Sequence, residues 1–326
     1  MKPFVVLAGP IHADGIKLLE SEARVLVSSE ETEAGMLKVA QEAEGILFRA
    51  KPACSRSLMA GCKQLKVVGR HGVGLDTIDL KAATDLNIAV VHAPGSNSNS
   101  VAEHAIMLML ALAKQAVVVD RRTRMADWGK SRSQGLLEMN GKTLGIIGVG
   151  NIGRRVAKTA GALGMRVIAY DKYVPAEELR NRGVEPMPDM ASVLRAADVV
   201  TCHTPHTPET HHMINAESIA QMKNGVIFIN TSRGKIQDEN ALLAGLESGK
   251  IRAAGIDVFE EEPVSSDSRL LQLENVIVSP HIAGVTEETT RGTALQVAAE
   301  MLRVLRGEKP QVLGNPDLWP KLGHLK

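Results

Sequence analysis

Three short stretches end in residues able to do acid–base or ion-pair chemistry. "INTSRGKIQ" places Arg233 after an apolar run, and "GIDVFEEEP" brings Asp257, then Glu260, Glu261 and Glu262, up to Pro263. "NVIVSPHIAG" stops a β-branched run at Ser-Pro and then presents His281. Arginine offers a planar two-pronged donor that suits a carboxylate. Histidine can carry a proton near neutral pH, and a neighbouring carboxylate favours its charged form. Taken singly, each has a plainer reading: a surface ion pair for Arg233, a solvated face for the glutamates, and a partly buried, hydrogen-bonded strand terminator for His281.

A fourth stretch, "TLGIIGVGNIGRRVAKTA", sets Gly148, Gly150 and Gly153 between an apolar strand and a helix start. The first glycine permits a tight turn, the second lets backbone approach a pyrophosphate, and the third allows close helix–strand packing. Amides at the helix start then face the phosphates. The next apolar run, "MRVIAY", ends in Asp171, which suits the two ribose hydroxyls of NAD and opposes the extra phosphate of NADP. The adjacent Lys172 weakens that preference.

Elements must position these residues. Phe4–Ala8, Ile46–Phe48, Val67–Val68 and Ile88–Val91 are strand candidates with helix-like segments between them. A second series starts at Thr143: "TLGIIGVG", "MRVIAYD", "ADVVTCHTP", "GVIFINTSRG", "IRAAGIDVFE" and "NVIVSPHIAG". Strands alternating with helices predict an α/β fold with mainly parallel sheets. If the second series forms one sheet, its polar ends share the carboxyl edge where ligands bind in such folds. "PGSNSNS" over 94–100 reads as a loop between lobes, and "VAEHAIMLMLALAKQ" as a helix buried in a core or an interface.

Lys plus Arg is 38 and Asp plus Glu 37, a net charge of +1, which gives no support for a nucleic-acid or membrane partner. Cys54, Cys62 and Cys202 have no CxxC spacing, which argues against a disulfide framework or a zinc site. The N-terminal apolar run is too short for a signal segment, and the apolar stretch 105–113 is too short for a membrane span. The expectation is a soluble cytoplasmic protein.

The motifs together resemble the D-isomer-specific 2-hydroxyacid dehydrogenase family. "RHGVGLDTIDL", "NSNSVAEH", "GIIGVGNIG", "HTPHTPETHHMIN", "NTSRG", "DVFEEEP" and "SPHIAG" occur in that family's order, from about residue 65 to 285. The resemblance implies a catalytic set of Arg233, Glu262 and His281. Reduction of a 2-keto acid needs a cation for the carboxylate, a hydride donor and an acid for the new alkoxide, and these residue types fit. Glu262 is chosen over Glu260 because a residue before proline is held extended; Glu260 and Glu261 are then expected to face solvent.

The resemblance further implies that the amides of Val73 and Gly74 hold the substrate carboxylate, with Arg70 and Asn97 nearby. NAD is the implied cofactor. Around its pyrophosphate the family pattern places Gly148, Gly150, Asn151, Ile152, Gly153 and Arg154, with Asp171 on the ribose. Thr204 and Pro205 fall towards the adenosine and Thr231 and Asp257 towards the nicotinamide, and Ser232, Ala283 and Gly284 are further implied cofactor contacts. His203, His206, His211 and His212 belong to the family's "HTP…ET" loop, and no metal is expected. His206 departs from the leucine common after "HTP".

The expected architecture is two Rossmann-like lobes with parallel sheets. A flavodoxin-like substrate lobe comprises residues 1–99 and 285–326, and an NAD-binding lobe residues 100–284, with the active site in the cleft. The family implies a homodimer with "VAEHAIMLML" near the interface. Because the sequence stops near 326, no regulatory C-terminal domain and no serine feedback are expected. A rival reading is an NAD(H)-sensing, corepressor-like binding protein of the same fold. Phosphite oxidation stays open, whereas formate oxidation is disfavoured because that branch carries glutamine at the Glu262 position. Arg49 and Lys51, with Lys130 and Arg132, either bind a substrate phosphate or second carboxylate or are solvated surface charges.

Overall fold

A computed structural model describes residues 2–49, 51–129 and 135–322 and divides the chain into two units, 1–97 with 285–326 and 98–284. The expected boundary after residue 99 moves to Asn97/Ser98, because the helix that opens the second unit already begins at Ser98. Lys130 and Arg132 lie outside the described residues.

The first unit is a five-stranded parallel sheet of β1 (Phe4–Ala8), β2 (Arg24–Ser28), β3 (Gly45–Phe48), β4 (Val67–Arg70) and β5 (Ala89–Val91), in the order β2-β1-β3-β4-β5. Helices α1 (Ala13–Glu22), α2 (Glu33–Ala40), α3 (Arg56–Gly61) and α4 (Leu80–Asp85) connect the strands. Short polar side chains start three of them: Thr32, Ser55 and Asp79 each accept an amide of the first turn. The chain returns at its end as a long helix, Glu287–Leu305 (α12), capped by Thr286. Ala294, Val297, Ala298 and Met301 of that helix are buried with Val5, Val67 and Ala89 of the sheet. β2 has no counterpart among the expected strands. It is an edge strand whose Leu26 and Val27 stay exposed, so its apolar pattern is diluted.

The second unit opens with α5 (Ser98–Ala113) and α6 (Ala116–Arg124). Its sheet contains β6 (Thr143–Ile147), β7 (Arg166–Tyr170), β8 (Glu185–Pro186), β9 (Val199–Cys202), β10 (Val226–Asn230), β11 (Ile251–Ile256) and β12 (Val276–Val278). All are parallel, in the order β12-β11-β10-β9-β6-β7-β8. The intervening helices are α7 (Gly153–Ala162), α8 (Ala176–Asn181), α9 (Met190–Ala196), α10 (Ala216–Gln221) and α11 (Glu239–Glu247). Both sheet faces are covered, and β10 shows how. Ile227 and Ile229 join one core with Leu108 and Leu112 of α5, while Val226 and Phe228 join the opposite core with Leu242 and Leu246 of α11. Strand order reverses between β6 and β9, the point where this topology opens a ligand crevice.

One expectation about this sheet is corrected. β12, which reads as a buried strand, is an edge strand of half-buried residues with Val278 39% exposed. Among the described residues, no single helix is long and apolar enough to cross a membrane.

Candidate active site

In the second unit the polar ends of β6, β7, β9, β10, β11 and β12 lie on one sheet edge, as parallel pairing requires. The turn after β6 is built by its glycines. Gly148 has φ +89°, and a Cβ on Gly153 would fall 2.3 Å from the Gly148 carbonyl oxygen. A Cβ on Gly150 would meet nothing within 4 Å, so that backbone borders open space. Asn151 and Arg154 are exposed beside the turn, and Ile152 leads into α7. Asp171, just past β7, accepts the Val149 amide at 2.7 Å on one oxygen and the Tyr173 and Val174 amides at 2.9 and 3.1 Å on the other. The carboxylate is thus fixed in direction. Thr204 after β9 and Thr231 after β10 each bury a hydroxyl that lacks a hydrogen-bond partner. An open glycine turn, a fixed carboxylate and two orphan hydroxyls fit a dinucleotide.

The acid–base pair is formed by sequence-distant residues. His281 Nδ1 lies 2.7 Å from Glu262 Oε2, and the other oxygen, Oε1, accepts the Phe259 amide at 3.1 Å. Burial pulls the Glu262 carboxyl upward. The hydrogen bond from His281, the Phe259 amide and the charge of Arg233 outweigh it, and Glu262 sits below its ordinary range. With Nδ1 committed to Glu262, the imidazole's other nitrogen, Nε2, is left to exchange a proton.

His281 takes a left-handed backbone, φ +55°, which is rare for a non-glycine residue. Asp257 holds it there. The Asp257 carbonyl accepts the His281 amide at 2.8 Å. Its carboxylate accepts Ser279 Oγ at 2.5 Å and the Ile282 and Ala283 amides at 2.9 Å each. α5 grips the same loop: Ser100 Oγ donates to the Ala283 carbonyl at 2.6 Å, and His104 Nε2 is 2.9 Å from Ser279 Oγ. Asp257 is fully buried and Ala283 has both main-chain groups engaged. Both residues therefore help to hold the His281 loop in place. Ser279, Ser100 and His104 escaped sequence reasoning because small polar residues at these places carry no signal of their own.

Arg233 stands on a turn shaped by Asn230. Asn230 Oδ1 accepts the Ser232 amide and hydroxyl at 3.0 and 2.8 Å, and its Nδ2 donates to the Arg233 carbonyl and Gln237 Oε1 at 2.9 Å each. The Ser232 hydroxyl thus braces the turn as well. A Cβ on Gly234 would fall 1.8 Å from the Phe259 carbonyl oxygen, so only glycine lets this turn pass the segment carrying Glu262. Glu260 is a correction. It is half-buried and engaged: Oε1 accepts the Glu239 amide at 2.7 Å, Glu239 accepts the Glu260 amide at 2.7 Å, and Oε2 lies 3.3 Å from His212.

In the first unit, Val73 and Gly74 follow β4, and their amides donate to nothing among the described residues. His71 is pushed down to about 4 by burial and by the charge of Arg49, so it is neutral beside two arginines, Arg49 and Arg70. Arg70 Nη1 donates to the His71 carbonyl at 2.6 Å. Asn97 is half-buried. Among the described residues, no three His, Cys, Asp or Glu side chains group so as to hold a metal.

Residues 106–283 match the model for the D-isomer specific 2-hydroxyacid dehydrogenase, NAD binding domain. The chain is 42% identical over 324 residues to the D-3-phosphoglycerate dehydrogenase of Methanocaldococcus jannaschii, covering 99% of this chain but 62% of that protein. It is 38% identical to the hydroxypyruvate reductase of Thermotoga maritima, covering 91% of this chain and 96% of that one. Among solved structures it resembles the D-lactate dehydrogenase of Aquifex aeolicus complexed with NAD and lactic acid, with TM-score 0.84, 30% identity and 98% of each chain covered.

Proposed function

Because the chain belongs to the D-isomer-specific 2-hydroxyacid dehydrogenase family, we propose that it is an NAD-dependent oxidoreductase that interconverts a small 2-keto acid and its D-2-hydroxy acid. The observation that carries this reading is the His281–Glu262 pair, 2.7 Å apart, held on the sheet edge that also bears the glycine turn and Asp171. When bound, the reduced nicotinamide supplies a hydride to C2 of the keto acid. His281 Nε2 then gives its proton to the oxygen at C2, and Glu262 stabilises the imidazolium before transfer. Arg233 offers a cation to the substrate carboxylate. Gly148, Gly150 and Gly153 with Asp171 hold the dinucleotide, and Thr204 and Thr231 offer it their orphan hydroxyls.

The charge of the first unit supports a substrate with a second anionic group. Burial, with the charges of Arg49 and Arg70, keeps His71 neutral, and the unbonded amides of Val73 and Gly74 suit a carboxylate. The likeness to phosphoglycerate dehydrogenases points the same way. The balanced charge supports a protein that works without nucleic acid or membrane. Free buried Cys54, Cys62 and Cys202 support a reducing, cytoplasmic setting. An apolar groove along α5, lined by Ala102, Ile106, Met107 and Leu110, supports a homodimer.

The test is NADH oxidation by the purified protein against 2-keto acids with and without a phosphate or second carboxylate. Fastest turnover of a doubly anionic member is expected. Fastest turnover of an uncharged-tail keto acid removes the anion role from Arg49 and Arg70. NADH binding with no turnover across the panel replaces the enzyme reading with that of an NAD(H) sensor.

A further inference from the structure

Lys172 directly follows the carboxylate that faces the ribose. An ammonium there is what a dinucleotide with a 2′-phosphate would seek, and it stands beside Asp171, which opposes one. In the structure that ammonium is already taken. Lys172 Nζ donates to Glu209 Oε2 at 2.7 Å, and the Tyr173 hydroxyl donates to the same oxygen at 3.3 Å. Lys172 also lies 5.8 Å from the Tyr173 ring centroid, within cation–π reach.

Glu209 comes from a different stretch, the loop after β9, and that loop is braced. Thr210 Oγ1 donates to the Pro205 carbonyl and accepts the Thr207 amide, both at 2.8 Å, and the His211 amide donates to the Thr207 carbonyl at 2.9 Å. The same loop lines the glycine turn, since a Cβ on Gly148 would fall 2.9 Å from Thr204. Glu209 is therefore presented on a hydrogen-bonded turn that belongs to the dinucleotide site. The hydrogen bond from Lys172 holds its carboxyl below the ordinary range, so it is anionic at neutral pH.

We propose that Glu209 is a specificity-determining residue for the dinucleotide: by occupying the Lys172 ammonium it denies a 2′-phosphate its cation and reinforces the choice of NAD over NADP made by Asp171. The proposal rests on the NAD-site reading above. Its physical basis is a charge count. Asp171, Lys172 and Glu209 together leave one net negative charge at the end of β7, and neutralising Glu209 cancels it. An exposed ion pair contributes little to stability. Selectivity is different, because the pair only has to redirect one ammonium. One charge acting through water on a nearby phosphate corresponds to about a fivefold change in affinity. Salt should shrink it.

The experiment is titration of NADH and NADPH, followed by nucleotide fluorescence, into wild type, Glu209→Gln and Glu209→Gln/Lys172→Met at low and high salt. The expected result is that Glu209→Gln raises the NADPH-to-NADH affinity ratio about fivefold at low salt. The gain should be smaller at high salt and lost when Lys172 is also replaced. An unchanged ratio in Glu209→Gln, with NADH still bound, overturns the proposal and leaves the NAD site standing. A gain that survives the Lys172 replacement also overturns it, since the lysine is then not what Glu209 masks. Failure of wild type to bind NADH overturns both readings.

Discussion

At the scale of single residues, the distinction that matters is between the group that transfers a proton and the groups that aim it. His281→Ala should cut turnover by about a hundredfold to ten-thousandfold. NADH affinity, read by fluorescence, should change little, because the glycine turn and Asp171 are untouched. Turnover within a few fold of wild type would remove His281 from the proton-donor role. Glu262 carries a pH signature. Its carboxyl is held below the ordinary range despite burial that pulls it up. The native state therefore binds fewer protons than the unfolded state, and its stability contribution is present above the ordinary carboxylate range. It is lost as pH falls through the lowered value. Urea midpoints of wild type and Glu262→Gln should differ at neutral pH and converge in acid; a constant gap down to pH 3 would contradict this. Residue types alone left three glutamates to choose from. The choice of Glu262 came from a proline and a motif, and the geometry adds what neither held: Glu260 is spent on the Glu239 amide and His212, while Glu262 reaches His281.

At the scale of elements, a turn and a loop constrain one another. The Arg233 turn and the Phe259–Glu262 segment come so close that Gly234 admits no side chain. Gly234→Ala must push the two apart, moving Glu262 from His281. We expect a drop in kcat larger than any rise in KM and a stability loss of about 1–3 kcal/mol. A variant with wild-type kcat would show that the segment carrying Glu262 yields without consequence. What the sequence disclosed at this scale follows burial. β1, β6, β9, β10 and β11 are buried almost throughout, so their continuous apolar runs stood out. β2 and the two-residue β8 are edge strands with mixed faces and left no comparable pattern. The grip of α5 on the His281 loop was illegible for another reason. It joins Ser100 and His104 to residues 279–283, and no local periodicity records a contact of that span.

At the scale of the whole molecule, the chain holds one continuous unit and one interrupted unit. Residues 98–284 contain the entire seven-stranded sheet, the glycine turn, Asp171 and the Arg233, Glu262 and His281 set. Expressed alone, that segment should fold and bind NADH, measured by circular dichroism and fluorescence, yet turn over no keto acid, since Val73, Gly74 and Arg70 are absent from it. Keto-acid turnover by the fragment at the full chain's rate would remove those residues from the substrate's environment. A fragment that folds without binding NADH would show that the glycine turn and Asp171 do not suffice.

The interrupted unit carries a different consequence. The helix Glu287–Leu305 seals one face of the N-terminal sheet with Ala294, Val297, Ala298 and Met301. Those strands leave the ribosome before residues 98–284, and their cover leaves after them. The nascent chain must therefore complete residues 98–284 while the first unit still shows Val5, Val67 and Ala89 to solvent. Order of synthesis and order of folding run in opposite directions at that sheet, and the interval between them is when this protein most needs a chaperone.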